Sequence, residues 1–180
     1  ELLNLYGVPT VIETKGVIPD DCFHQYSKVL EELKAGFNIS LTPGPDSLAE
    51  KLEPGTPKYS ERWEFAARLL DAGFWVGIKA EPIIPGVNDD EKWIHEFADI
   101  ASKIDVKHVN FGEYRIHNAR IAAERMKSAG FNLAKIIRLK RESWLGKSRK
   151  IFDILKSYGL KVTTPDWVNF GDINDCESCC

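Results

Sequence analysis

Nine polar residues stand at or just past the carboxyl ends of segments that read as strands: Glu13, Thr14, Lys15, Ser40, Thr42, Lys79, Glu81, Asn110 and Glu113. In parallel βα architectures, ligands and reacting groups gather at that end of the sheet. Lys15 is a compact cation at a strand end, placed for function unless it is an ordinary solvated loop lysine. The Ser40 hydroxyl can bond a ligand or its own backbone. Lys79 and Glu81 are two residues apart and project from one face of their strand. There they form either a buried charge pair beside a ligand or an ion pair that only locks the sheet. Asn110 reaches the same place from the next strand, or else is a turn-proximal amide that bonds the backbone.

A second group of reactive side chains lies at the other end of the chain. Cys176, Cys179 and Cys180 crowd the last five of 180 positions, with a C-x2-C spacing that can clamp one soft metal ion. Two or three thiolates do not close a tetrahedral site, so such a metal would draw further ligands from elsewhere. The bland alternative is a polar tail with silent cysteines. Cys22 stands alone, and four cysteines so distributed make a poor disulfide framework. This points to a reducing, cytoplasmic setting. His24 and His95 fall on expected helices, and His108 and His117 flank an expected strand. None has metal-site spacing, so they read as solvated or capping residues. Arg138, Lys140, Arg141, Lys147, Arg149 and Lys150 surround Trp144 and suit either nucleic-acid contact or a charged helix face. The net charge of −3 gives no global attraction to polyanions or anionic membranes.

The elements that position these groups follow from periodicity. Residues 9–14, 37–42 and 74–84 are β-branched or aromatic runs, each closed by Gly or Pro, and Val106 to Phe111 reads as a fourth strand. Lys161 to Thr164 reads as a short last one. Phe23, Tyr26, Val29, Leu30 and Leu33 recur at helical spacing after Pro19-Asp20-Asp21, and Gly36 ends that helix. A short helix covers Ser47 to Leu52, and a clearer one runs from Tyr59 to Ala72 with Gly73 as its stop. Asn88-Asp89-Asp90-Glu91 opens a helix through Trp93, Ile94, Phe97 and Ile100. Beyond it, helices are expected from Ala119 to Ser128 and from Lys147 to Tyr158. Strands and helices alternating in this way predict an α/β fold, a partial (β/α) barrel with parallel strands. Right-handed crossovers would place the helices on one side. Hydrophobic residues at 43% and charged residues at 28% are ordinary for a globular domain, and no apolar run approaches a membrane span.

The order and wording of several segments carry a resemblance. Ile39-Ser40-Leu41-Thr42 is followed by Leu52-Glu53-Pro54-Gly55-Thr56-Pro57, then a helix, then Pro82-Ile83-Ile84-Pro85-Gly86-Val87-Asn88-Asp89. This series resembles the radical S-adenosylmethionine (radical SAM) enzymes of the spore photoproduct lyase and DNA repair photolyase-like group. Glu13-Thr14-Lys15 resembles that group's "STK" strand end, with Glu13 as the departure. The likeness covers roughly residues 9–112 well and the remainder loosely. It implies a partial (β/α)6 barrel in which a CxxxCxxC loop holds a [4Fe–4S] cluster. The cluster reduces SAM, yielding a 5′-deoxyadenosyl radical that abstracts hydrogen from the substrate. By the same resemblance Lys15 pairs with the SAM carboxylate and Ser40 bonds the cofactor. Lys79, Glu81 and Asn110 lie near it, and Ile83 and Ile84 line the adenine pocket unless they are core. The class implies a flavodoxin or ferredoxin as electron donor, and nucleic acid as a partner by analogy only.

The 180 residues contain no CxxxCxxC. On the resemblance, the strands seen are the third to sixth of the barrel. The N-terminal strands and the cluster loop are then expected before Glu1, which is not an initiator methionine. The expected organisation is a C-terminal part of the barrel core at 1–115, a helical extension at 116–168 and a Cys-containing tail at 169–180. The leading expectation is thus part of a SAM-cleaving radical enzyme, with lyase-like or lesion-repair chemistry suggested by the group. The alternative is a non-catalytic SAM- or nucleotide-binding barrel that has lost its cluster.

Overall fold

The computed structural model describes residues 8, 10–116 and 118–164. Pro9, His117, Cys176, Cys179 and Cys180 lie outside the described residues, as does the whole 169–180 segment.

Five strands form one parallel sheet, with the spatial order β1–β2–β3–β4–β5 identical to the order in the chain. They are β1 (Val11–Thr14), β2 (Gly36–Ser40), β3 (Trp75–Ile83), β4 (His108–Glu113) and β5 (Val162–Thr163). Six helices connect them: α1 (Asp20–Glu32), α2 (Asp46–Leu52), α3 (Tyr59–Asp71), α4 (Glu91–Lys103), α5 (Ala119–Ser128) and α6 (Leu133–Ser157). This is the α/β partial barrel that the alternation of elements predicts.

Period-two alternation divides each strand between two environments. Phe37, Ile39, Val76, Ile78, Ala80, Val109, Phe111 and Val162 point into a single apolar core. The helices fill the other side of that core with Leu30, Phe65, Leu69, Ile94, Phe97, Ile151, Phe152 and Leu155. The intervening strand positions are polar or small and are largely half-buried: Glu13, Asn38, Lys79, Glu81, His108, Asn110 and Gly112. Register aligns them across the sheet, with Ser40 opposite Lys79, Lys79 opposite Asn110, and Asn110 opposite Thr163. Stability is thereby concentrated on one face of the sheet and polar chemistry on the other.

The helix expected over Lys147–Tyr158 is corrected. It begins at Leu133, where Asn132 caps it by accepting a hydrogen bond from Lys135 N at 3.1 Å. Its buried stripe runs through Ile136, Trp144, Ser148, Ile151 and Leu155, with Lys140 also on that side. Those polar members and Gly146 hide the period from a reading of hydrophobicity alone. Trp144 is a core residue, which excludes it from any stacking platform.

The loop after β3 explains why Pro82 to Asp89 has its composition. The Glu81–Pro82 peptide is cis, and Gly86 has φ +73°, where a side chain would also strike Leu139. Asn88 is fully buried and staples the loop. Its Oδ1 accepts from Ile84 N at 2.6 Å and its Nδ2 donates to Pro82 O at 3.1 Å. Asp89 accepts from Gly86 N at 2.8 Å, and Asp90 caps α4. Ile83 is buried in the main core, and Ile84 in a second apolar cluster with Leu48, Val87, Met126 and Ile136, so both are core.

Candidate functional site

The ends of β1 to β4 frame an open cavity of 380 Å³ lined by Glu13, Lys15, Ser40, Lys79, Glu81, Pro82, Gly112, Glu113, Tyr114 and Arg115. Four of the five residues expected to bind a cofactor therefore meet at one place. Each is at the end of a different βα unit or two residues along one strand, and all are on the polar face. Carboxylates at Glu13, Glu81 and Glu113 oppose cations at Lys15, Lys79 and Arg115, so the wall can recognise a ligand of both signs.

Lys15 reaches Glu53 at 2.6 Å and keeps 41% of its side chain exposed. Behind it stands a residue that the sequence reading did not single out. Arg62 on α3 is completely buried. Its Nη1 donates to Ser40 O at 2.9 Å, its Nε to Pro57 O at 2.9 Å and its Nη2 to Thr56 Oγ1 at 2.5 Å. Nη1 also lies 2.7 Å from Glu53 Oε2, but without hydrogen-bond geometry, so that contact is one of charge. The segment Glu53–Pro57 is thus held against β2 by one guanidinium, and its glutamate is shared between Arg62 and Lys15. A signal for this was present. Tyr59, Arg62, Ala66 and Leu69 fall on one helical stripe, and an arginine there must find acceptors in the interior.

Lys79 and Glu81 do share a face, but the expected buried pair is corrected in two respects. Both are half-buried, and the closer partner of Lys79 is Glu13, at 2.8 Å against 4.0 Å for Glu81. Glu13, the departure from the resembled motif, is therefore a structural partner of the β3 lysine. Gly112 leaves the space that Glu81 fills, since a Cβ there would stand 2.8 Å from Glu81 Oε1. The end of β4 is tied to α6 by Lys140, 2.8 Å from Glu113 and 3.1 Å from Tyr114 O. Burial pushes the Tyr114 phenol up, so its hydroxyl stays protonated at neutral pH. Thr42 turns away and bonds the Tyr59 hydroxyl at 2.6 Å.

Asn110 does not line this cavity. Its Nδ2 donates to Thr163 Oγ1 at 3.0 Å, and His108 Nε2 lies 2.8 Å from the same hydroxyl. His108 is therefore neither a solvated nor a capping residue. It ties β4 to β5 on the polar face. Burial, with Lys161 adding to it, holds its pKa below the ordinary value of 6.5. A depressed folded-state pKa means that the unfolded chain binds the extra proton first. This group's contribution is complete above pH 6.5 and is lost as pH falls through the folded value. Urea midpoints should drop on acidification below about pH 6.5, and His108→Gln should flatten that part of the profile. An unaltered slope in the variant would remove His108 as the cause.

A larger hollow of 490 Å³ lies away from these residues, between α6 and the start of α4. Its charged rim is already matched, Lys147 with Asp89 and Lys150 with Glu91. No group of His, Cys, Asp and Glu able to hold a metal occurs among the described residues, where Cys22 is the one free thiol. No helix among them is long and apolar enough to cross a membrane.

No protein-family model matches the chain, and no curated protein matches it in sequence. Solved structures do match its fold, among them radical SAM enzymes. A domain of pyruvate-formate lyase-activating enzyme from Bacteroides vulgatus superposes with TM-score 0.63 at 17% identity, over 91% of this chain and 86% of that one. Streptococcus suis SuiB bound to S-adenosylmethionine gives 0.55 at 13% identity, over 90% of this chain and 34% of that one. Spore photoproduct lyase complexed with dinucleoside spore photoproduct gives 0.51 at 14%, over 87% and 50%. The chain thus spans about a third of SuiB and half of the lyase, and at these identities the likeness is one of fold.

Proposed function

We propose that this chain is the C-terminal part of a radical SAM barrel and that the cavity at its strand ends holds SAM. The observation that carries the reading is the convergence of Lys15, Ser40, Lys79 and Glu81 on one cavity of mixed charge. SAM presents a carboxylate, an ammonium and a sulfonium together, and a wall with both signs of charge is complementary to it. The fold shared with a SAM-bound enzyme supports the same reading.

The cluster is a different matter. Residues 10–116 and 118–164 contain one thiol, and three thiolates are needed to hold a [4Fe–4S] centre that leaves an iron open. These residues do not supply it, so cluster ligands belong to a segment other than those described. When bound and reduced at such a cluster, SAM supplies hydrogen-abstracting chemistry. The residues seen here do the binding. Lys15 seats the carboxylate, Ser40 adds a hydrogen bond beside it, and Glu13 and Glu81 face the cationic portion. Lysis of a DNA lesion, an electron donor of the flavodoxin or ferredoxin type and a metal at Cys176, Cys179 and Cys180 remain parts of the proposal carried by resemblance or spacing alone.

Titration calorimetry with SAM tests the reading. Lys15→Ala and Ser40→Ala should each weaken binding by about 1.5–3 kcal/mol, the range for a lost hydrogen bond to a charged group. Unchanged affinity in both, with melting curves intact, would take the cofactor out of this cavity.

A further inference from the structure

The ammonium assigned to the ligand is not idle in the structure: Glu53 already occupies it, at 2.6 Å. Glu53 belongs to the segment that Arg62 fixes, and its second oxygen stands 2.7 Å from Arg62 without completing a hydrogen bond. That oxygen is buried, and it faces a guanidinium that is itself fully buried. We infer that Glu53 is an internal stand-in for the ligand's carboxylate: it neutralises Lys15 and gives it up when a carboxylate-bearing ligand competes for it.

Two features give the exchange a direction. An incoming carboxylate meets a carboxylate of the same charge at the Lys15 ammonium, so Glu53 opposes binding for as long as it remains there. Glu53 also has somewhere to go. A modest rotation of its carboxylate would turn the charge contact with Arg62 into a charge-assisted hydrogen bond, which offsets part of the contact given up at Lys15. Arg62 needs that charge in either state, because a desolvated guanidinium without a counter-ion is costly. The pair therefore acts as a two-position device, with Glu53 shared between Lys15 and Arg62 while no ligand competes and held by Arg62 alone once a carboxylate takes Lys15.

This inference rests on the SAM reading of the cavity and makes an unusual prediction. Removing a charged residue from a binding wall should tighten binding. In Glu53→Gln, SAM affinity should rise about fivefold to tenfold, the scale of one partly exposed charge contact. In the Lys15→Met background the same substitution should change affinity less than about twofold, because the contested cation is gone. Decarboxylated SAM, which lacks the competing group, should bind wild type and Glu53→Gln alike. If Glu53→Gln does not fold, Glu53→Asp serves instead, since its shorter side chain keeps a charge for Arg62 while withdrawing from Lys15. A gain in affinity for SAM alone, dependent on Lys15, is the expected result. A loss, or equal gains for both ligands, would overturn the exchange while leaving the cavity assignment in place. Failure of Lys15→Met to weaken SAM binding would sink the assignment itself.

Discussion

Arg62→Ala should cost about 3–5 kcal/mol of folding stability, the range for removing one partner of a buried ion pair. The substitution leaves the Glu53 carboxylate facing an apolar gap and strips donors from the Ser40 and Pro57 carbonyls. It also releases the Glu53–Pro57 segment from β2, since Thr56 loses its guanidinium partner as well. Urea melts with a fixed m-value would measure this directly. The double variant Arg62→Met with Glu53→Gln should recover part of the loss, because it removes a carboxylate left with Lys15 as its one cationic partner and restores apolar volume. A decrease under about 1 kcal/mol for Arg62→Ala would mean that water or a rearranged loop replaces the guanidinium, and that the network does not hold the segment in place.

Asn88→Ala should be nearly as damaging, at about 2–4 kcal/mol, because it strands two buried backbone groups together. Ile84 N and Pro82 O both depend on that amide. The isosteric Asn88→Asp distinguishes hydrogen bonding from packing. It conserves shape but aims a carboxylate oxygen at the Pro82 carbonyl in a fully buried position, so it should cost at least as much as alanine at neutral pH. If Asn88→Asp instead retained wild-type stability, the loop would be held by its prolines and by Gly86, with the amide incidental. Because Pro82 lines the cavity and Glu81 precedes it, Asn88→Ala should also loosen the cavity wall.

Much of this arrangement could be read from the chain alone, and for one reason: a parallel strand announces both its face and its end. Lys15 and Ser40 were recognisable because each sits where a strand run stops, and Lys79 and Glu81 because they alternate with apolar neighbours along β3. Asn110 shares that alternation and stands level with Lys79, but its amide is taken by Thr163 on β5, a contact across 53 residues that no local pattern reports. Arg62 was passed over because an arginine in an amphipathic helix reads as solvent-facing unless its place on the stripe is checked. The early turns of α6 escaped because Lys140 sits on the buried side with its charge matched by Glu113, from a different element. What the chain conceals is pairing between distant polar groups. Hydrophobic periodicity carries no information about it.

The matching of spatial and chain order in the sheet bears on how the molecule comes together. In many open α/β sheets a late strand must slip between two that are already paired. Here each strand is added beside its immediate predecessor, with a crossover of one or two helices between them. Each pairing joins strands that are neighbours in the chain, so less entropy is lost before it than for a strand inserted from farther away. Growth can begin at any adjacent pair and extend outward in either direction, much as in a repeat protein. The two outermost strands are the least committed members. At one border Val11, which remains 56% exposed, lies in a four-residue strand, and at the other β5 has two residues. Such borders accept a further strand without disturbing the interior. Amide exchange should accordingly be slowest at β2, β3 and β4 and fastest at β1 and β5, a gradient of protection running from the middle of the sheet to its margins.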